Sequence, residues 1–470
     1  MHKNSVAEIL ADLEGIVAVE GDDVKILDEA ALPGKSAMLA YSAVFSEGLT
    51  KEIARWLIWE IARELGIYPA SIHELYMARG RGEVRFDFTV PAMNIRSINY
   101  YSSRAVFRAA KAHNAGAMLF EIARSEMGYT DQRPAEYVAC VLAAAIAEGY
   151  RGPVFVQGDH FQVSAKNYAA DPAAEVKNVT DLVQEAVSAG FYNIDIDTST
   201  LVDLSKATLD EQQKLNYSEC ATITRFVRQV EPEGITVSLG GEIGEVGHKN
   251  STVEELEAFI EGYNRELDGQ CAGISKISVN TGTSHGGVVL PDGTLADVSV
   301  DFATLEELGR VAREKYGTGG AVQHGASTLP ENAFSKFPEV KTLEIHLATN
   351  FMNMVFDRLP QEMLDEAYAY VRENHSNEWK EGKTEEQFLY SSRKRAVGAF
   401  KKEWWHMPQA KLDEIGADLE EKFSFLFDQL NIRDTYDIAK DVTTCIPLKR
   451  PRPQAAVEQE ELKLASDLHD

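Results

Sequence analysis

Through the middle of this chain, short apolar runs alternate with longer amphipathic stretches. The runs are VRFDFTVP (84–91), AMLFEIA (117–123), PVFVQGD (153–159), FYNIDID (191–197), TVSLGGE (236–242), ISKISVN (274–280), AVQH (321–324) and TLEIHL (342–347). Short runs rich in β-branched and aromatic residues are the signature of buried strands. Between them, segments such as RAVFRAAKAHNAG, PAEYVACVLAAAIAEG, NVTDLVQEAVSAG, VEELEAFIEGYNREL and LEELGRVAREKYG repeat apolar positions at helical spacing, and several stop at glycine. Eight β-then-α units predict an α/β protein, a (β/α)8 TIM barrel over residues 84–357. A doubly wound open sheet is the competing arrangement.

Both flanks read as helical. Residues 1–83 form an N-terminal extension whose clearest element is TKEIARWLIWEIARELG. Thr50 is its expected cap, Ile53, Leu57 and Ile61 mark its apolar face, and Gly66 is its stop. Residues 358–450 form a polar, helix-rich C-terminal extension, expected to pack beside the barrel or build a subunit contact in a homo-oligomer. Residues 451–470 read as a mobile tail.

Charge narrows the partners. With 47 basic and 74 acidic residues, a net charge of −27 argues against nucleic acid or an anionic membrane surface. An anionic substrate would need a local positive device to enter this field. Cys140, Cys220, Cys271 and Cys445 are far apart and form no CxxC pair, as expected of reduced thiols. The start MHKNSVAEILADLEG has no apolar leader region, and no apolar run reaches the ~18 residues of a membrane span. A cytoplasmic location is the expectation.

The chemistry gathers at the ends of the runs. His160, His285 and His324 each close an apolar run, and a fourth run ends at Glu242. Imidazole and carboxylate are donors that a zinc-like cation accepts, and a barrel brings the C-terminal ends of its strands together. Asp159 precedes His160; since adjacent strand residues point to opposite faces, both serve one site only where the strand breaks. Gly286 and Gly287 in GTSHGG, and Gly325 and Ser327 in HGAST, leave backbone N–H groups open to phosphate oxygens. Lys276 offers a rival reading, a Schiff-base lysine, against a salt-bridged barrel lysine. Asp195 and Asp197 read as network or loop-capping carboxylates, with metal ligation as the other role.

These motifs resemble the class II, metal-dependent ketose-bisphosphate aldolases. The similarity covers roughly residues 84–357 and rests on VPAMN (90–94), GDH (158–160), IDTS (196–199), GEIG (241–244), GTSHGG (282–287), HGAS (324–327) and LATN (347–350). EIARSEMGYT (121–130) looks like the tagatose-bisphosphate aldolase branch, including its non-catalytic partner subunit. The resemblance implies a Zn2+ or other divalent cation on His160, His285 and His324, with Glu242 a ligand or close by. It implies Asp159 as catalytic acid/base and a second carboxylate from the loop after Glu242, among Glu245, Glu254 and Glu255. Contacts to a small phosphorylated sugar are implied at Asn94, Gly286, Gly325, Ser327, His346, Thr349 and Asn350. The chain departs from the family at strand eight, where the usual KINIxTD becomes EIHLATN, so His346 stands for an asparagine and Asn350 for an aspartate. The implied activity is reversible aldol cleavage of a ketose (bis)phosphate such as fructose 1,6-bisphosphate. A metal-dependent sugar-phosphate epimerase and a non-catalytic partner subunit are the alternatives.

Overall fold

The computed structural model describes residues 3, 5–244, 249–282 and 299–454. Eight parallel strands close on themselves: β1 (Val90–Asn94), β2 (Leu119–Ala123), β3 (Gly152–Gln162), β4 (Asn193–Asp197), β5 (Ser238–Glu242), β6 (Lys276–Val279), β7 (Ala321–Gln323) and β8 (Glu344–Leu347). Each pairs with its sequence neighbour, and β8 returns to pair with β1. Helices such as Asn99–His113, Pro134–Glu148, Pro172–Ala189, Leu209–Val230, Val253–Leu267 and Phe302–Glu314 follow the strands. The (β/α)8 barrel expected from the alternation is the fold.

The first strand differs from its expected position. The run at 84–91 suggested a strand, yet β1 begins at Val90. Arg85 and Phe88, which completed the apparent alternation, are used outside the sheet: the Arg85 guanidinium lies 5.3 Å from the Phe88 ring and donates to the carbonyls of Asn431 and Arg433. Tertiary contacts to the C-terminal extension override a local strand pattern here.

The N-terminal extension is not wholly helical. It carries an antiparallel hairpin, Val17–Glu20 with Asp23–Ile26, and a strand, Ile67–Ala70, that adds to the early half of β3. Its main helix runs Gly48–Glu64, starting two residues before the expected Thr50 cap, and Gly66 follows in the left-handed region at φ 76°. Helix His73–Gly80 lies against the N-terminal end of β8. There the buried Arg79 donates to the carbonyls of Leu343 and Thr342, each at 3.0 Å. Tyr76 from the same helix donates to Glu344 inside the barrel.

The C-terminal extension packs against the barrel. Helix Gln409–Gln429 lies along Asn99–His113, where Arg108 Nη2 donates to Gly416 O at 3.1 Å. The chain leading into the segment expected to be mobile is anchored, and Arg452 within it donates its backbone N–H to Asp22 Oδ1 at 3.0 Å. Trp59 Nε1 donates to Leu448 O at 2.7 Å, Trp56 Nε1 donates to Arg450 O at 3.0 Å, and the Arg450 guanidinium sits 3.3 Å over the Trp59 ring. None of the four cysteines is in a disulfide. Among the described residues no helix is long and apolar enough to cross a membrane.

Candidate active site

The site begins with an irregularity in β3. Its pairing with β4 shifts register between Gly158 and Phe161, and His160 between them takes φ 42°, in the left-handed region that non-glycine residues seldom visit. Gly158 permits this, because a Cβ there would lie 2.3 Å from the Phe161 ring. The bulge, rather than an end of the strand, lets Asp159 and His160 serve one site; β3 itself continues to Gln162. Backbone strain of this kind costs about 1–3 kcal/mol and persists where surrounding structure enforces it.

Two imidazoles meet at the mouth. His160 Nδ1 is 2.9 Å from Asp197 Oδ2, and His160 Nε2 is 2.7 Å from His324 Nδ1. His324 Nε2 is held in turn by Ser278 Oγ at 2.9 Å. Each ring therefore has one nitrogen held by a partner behind it, and the other nitrogens face each other. This is how carboxylate–histidine–metal arrangements orient their ligands. Two imidazole nitrogens at this distance share a proton, and they are the donor type that a zinc-like cation accepts in its place. Glu242 Oε2 lies 3.5 Å from His160 Nδ1, and His160, Asp197 and Glu242 form one group able to surround an ion. Burial opposes charge on His160, but Asp159, Asp197 and Glu242 outweigh it and hold its pKa well above the usual imidazole value. Burial, reinforced by Asp197, raises Glu242.

Beneath the mouth lies a buried charge network. Lys276 Nζ, fully buried, is 2.8 Å from Asp195 Oδ1, 2.5 Å from Glu344 Oε1 and 2.8 Å from Gln157 Oε1. The lysine has room because β5 carries glycine opposite it. A Cβ on Gly240 would sit 2.3 Å from Asp195 Oδ1 and 3.0 Å from Lys276 Cε. Burial disfavours its charge, yet Asp195 and Glu344 raise its pKa, so Lys276 is a charged structural lysine and not a neutral Schiff-base amine. His346 joins the network, with Nε2 2.7 Å from Glu344 Oε1 and its ring stacked on His324 at 4.0 Å. Burial pushes the Glu121 carboxyl up to about 8 despite the adjacent His346. Asp159 goes the other way: His160, His346 and His324 together overcome its burial and hold it well below the carboxylate range. Asp159 is thus ionised, as a proton acceptor must be.

The remaining expected residues fall in three places. Asn94 Nδ2 donates to both Asp159 Oδ2 and Glu126 Oε2, each at 2.9 Å. Gly325 (φ 71°) and Ser327 form the turn after β7, and Ser327 Oγ accepts from Ala348 N at 2.6 Å, tying that turn to Thr349 and Asn350 after β8. His285, Gly286, Gly287 and Glu245 lie outside the described residues. Of the other loop carboxylates, Glu255 accepts from Thr252 N as a helix cap and pairs with Lys249, while Glu254 is exposed.

Sequence reasoning passed over Glu121 and Glu344. Their signal was available: single acidic residues inside otherwise apolar barrel runs, LFEIA and LEIHL. It also missed a basic cluster beside the mouth. Arg96, just past β1, pairs with Glu126 on helix Arg124–Thr130, while Lys394 and Arg395 of the C-terminal extension lie 5.6 and 5.8 Å from the Tyr129 ring on that helix. Burial, then repulsion from Arg96 and Arg395, lowers the pKa of Lys394. No periodicity links positions so far apart in sequence.

The profile of the class-II fructose-bisphosphate aldolases matches residues 85–407. The chain belongs to that family. Among solved structures, it is similar to the fructuronate-tagaturonate epimerase of Cohnella laeviribosi, with TM-score 0.53 and 12% identity, over 91% of each chain. It is similar to a probable tagatose 6 phosphate kinase of Sinorhizobium meliloti at TM-score 0.51 and 14% identity, covering 75% of this chain and all of that one. Similarity to the fructose-bisphosphate aldolase of Campylobacter jejuni has TM-score 0.48 and 17% identity, over 78% of this chain and 97% of the other. At these identities the likeness is one of fold. Comparison with curated proteins finds no match.

Proposed function

We propose that this member of the family is a divalent-metal-dependent lyase that makes and breaks the C3–C4 bond of a ketose carrying a terminal anionic group, such as a ketose (bis)phosphate. The observation that carries the reading is the juxtaposition of ionised Asp159 with the His160–His324 pair at the mouth of the barrel. His160, His324 and Glu242, with His285 from the resemblance, would hold Zn2+ or another divalent ion. That ion would supply Lewis-acid stabilisation of the negative charge developing on the ketone oxygen during cleavage.

The chain's own residues do the rest. Asp159 takes the proton from the C4 hydroxyl; the C3–C4 bond breaks, its electron pair passes into the C2–C3 enediolate, and C4 leaves as an aldehyde. Asn94 holds Asp159 Oδ2 and fixes the direction in which the carboxylate accepts. A second acid then protonates C3, and Glu245 is the proposed donor. Arg96, Lys394 and Arg395 provide the local positive charge that an anionic sugar needs in a chain of net charge −27.

A second reading uses the same bond. If the aldehyde turns over before it leaves and Asp159 returns the proton after re-addition, the product is the C4 epimer. It is favoured by the likeness in fold to an epimerase across 91% of both chains, which takes in extensions lying outside residues 85–407. The deciding experiment gives the metal-loaded chain fructose and tagatose 1,6-bisphosphates, fructuronate and tagaturonate, and follows aldehyde release by a coupled assay and epimer formation by NMR. Aldehyde release supports the lyase; epimer without aldehyde overturns it in favour of the epimerase. Undiminished turnover after chelation sinks the metal mechanism. Binding without turnover of any of the four points to the partner-subunit role.

A further inference from the structure

We infer a second divalent-cation site, set below the His160–His324 pair and formed by Glu121, Asp159, Asp195 and His346. It depends on the reading above only through Asp159, which both sites touch. Each of the four residues offers one ligand atom, and these atoms lie within 4.8 Å of one another. His346 Nδ1 is 3.2 Å from Glu121 Oε1 and 3.2 Å from Asp159 Oδ1. Ligands ~2.1 Å from an ion stand ~3.0 Å apart at octahedral right angles and ~3.4 Å apart in a tetrahedron. The observed separations fall between the two.

The opposite atom of each ligand is already engaged. Glu121 Oε2 accepts from Gln157 Nε2 at 2.8 Å, and Asp159 Oδ2 accepts from Asn94 Nδ2 at 2.9 Å. His346 Nε2 donates to Glu344 Oε1 at 2.7 Å, and Glu344 also accepts from Lys276, Gln157 and Tyr76. An acceptor so loaded keeps the proton on Nε2 and turns the Nδ1 lone pair inward. This is the outer support that metal-binding imidazoles use.

The inward atoms approach one another but form no hydrogen bond. Glu121 Oε1, Asp159 Oδ1 and His346 Nδ1 make no hydrogen bond, although the residues are only 0, 6 and 5% exposed. Buried polar atoms left so are rare and costly, about 1–3 kcal/mol each. Asp195, whose Oδ1 pairs with Lys276, completes the set through Oδ2, 3.5 Å from His346 Nε2. A carboxylate-rich set with one imidazole suits Mn2+, whereas the histidine-rich mouth suits Zn2+. Filling the inner site takes Asp159 Oδ1 away from proton transfer, so turnover is expected to rise with the first equivalent of metal and fall with the second.

The test is equilibrium dialysis of the chelator-stripped full chain against Mn2+, followed by metal analysis. Two equivalents are expected for the native chain, and one each for Glu121→Gln, Asp195→Asn and His324→Ala, with circular dichroism confirming that each variant is folded. Glu121→Gln and His324→Ala should lose different equivalents, so the double variant should bind none. A single equivalent in the native chain, or an unchanged count in both Glu121→Gln and Asp195→Asn, overturns the inner site. An unchanged count in His324→Ala alone overturns the cation at the mouth and leaves the inner site standing.

Discussion

Asp197 Oδ2 stands 2.9 Å from His160 Nδ1, and that contact selects which nitrogen His160 presents to the mouth. Asp197 is itself fixed: its Oδ1 accepts from Ser199 N at 3.1 Å and from Ser199 Oγ at 2.7 Å. Replacing Asp197 with Ala frees the ring to rotate and to change tautomer. Outer partners of this kind are worth roughly 10–100-fold in metal affinity. Competition with a chromogenic chelator should show that loss at the mouth; an unchanged dissociation constant would contradict the orienting role.

Asp159→Asn keeps the shape and the Asn94 contact but removes the base. We expect kcat to fall about 10²–10⁴-fold, the usual range for a positioned proton acceptor. Zn2+ at the mouth should be retained, since the His160–His324 pair is untouched. Steady-state kinetics beside metal analysis separates the two; loss of both together would make Asp159 a ligand of the outer ion.

Lys276→Met strips the buried carboxylates of their counter-charge. Breaking one side of a buried ion pair costs about 3–5 kcal/mol, read as a lower midpoint in urea unfolding. The pH dependence should change as well. In the native chain burial would raise Glu344, but Lys276 and His346 hold it down to about 2. Its folded pKa is therefore below its unfolded one, so its contribution is complete above about pH 4.5 and is lost as pH falls from there toward about 2. Without Lys276, burial prevails and protonation relieves the site. The variant should accordingly lose less stability than the native chain between about pH 5 and 3, and a parallel decline in both would refute the pairing.

The basic cluster makes a prediction about substrate. Lys394→Ala removes a charge from the C-terminal extension without touching the barrel strands. An exposed-to-buried charge contact to an anion is worth about 1.5–3 kcal/mol, so KM for an anionic ketose should rise roughly tenfold or more. KM for a neutral ketose should stay the same. Equal effects on both would remove the cluster from substrate binding.

The alternation of apolar runs and amphipathic helices was enough to determine an α/β chain of eight units, because strand and helix periods are local properties of side-chain order, while the choice of a closed barrel over an open sheet rests on the β8–β1 pairing. Motif order likewise brought Asp159, His160, Glu242 and His324 to one end of it, since a parallel barrel delivers every strand's C-terminal end to the same face. The position of β1 was misjudged because the alternation of Arg85 and Phe88 answers to the C-terminal extension and not to the sheet. That extension, packed on helix Asn99–His113, also sets Lys394 beside Tyr129, a pairing no local pattern encodes.

Only closure of the barrel decided the interior. Asp195, Lys276 and Glu344 come from β4, β6 and β8, and their mutual distances depend on stagger and on the bare backbone at Gly240. A sequence states that such charges exist; whether they neutralise one another, bind an ion or face water is a matter of a few ångströms set by packing. The same holds for Asp159 and His160. Their adjacency is written in the chain, but a bulge with φ 42° at His160 is what turns both toward one point.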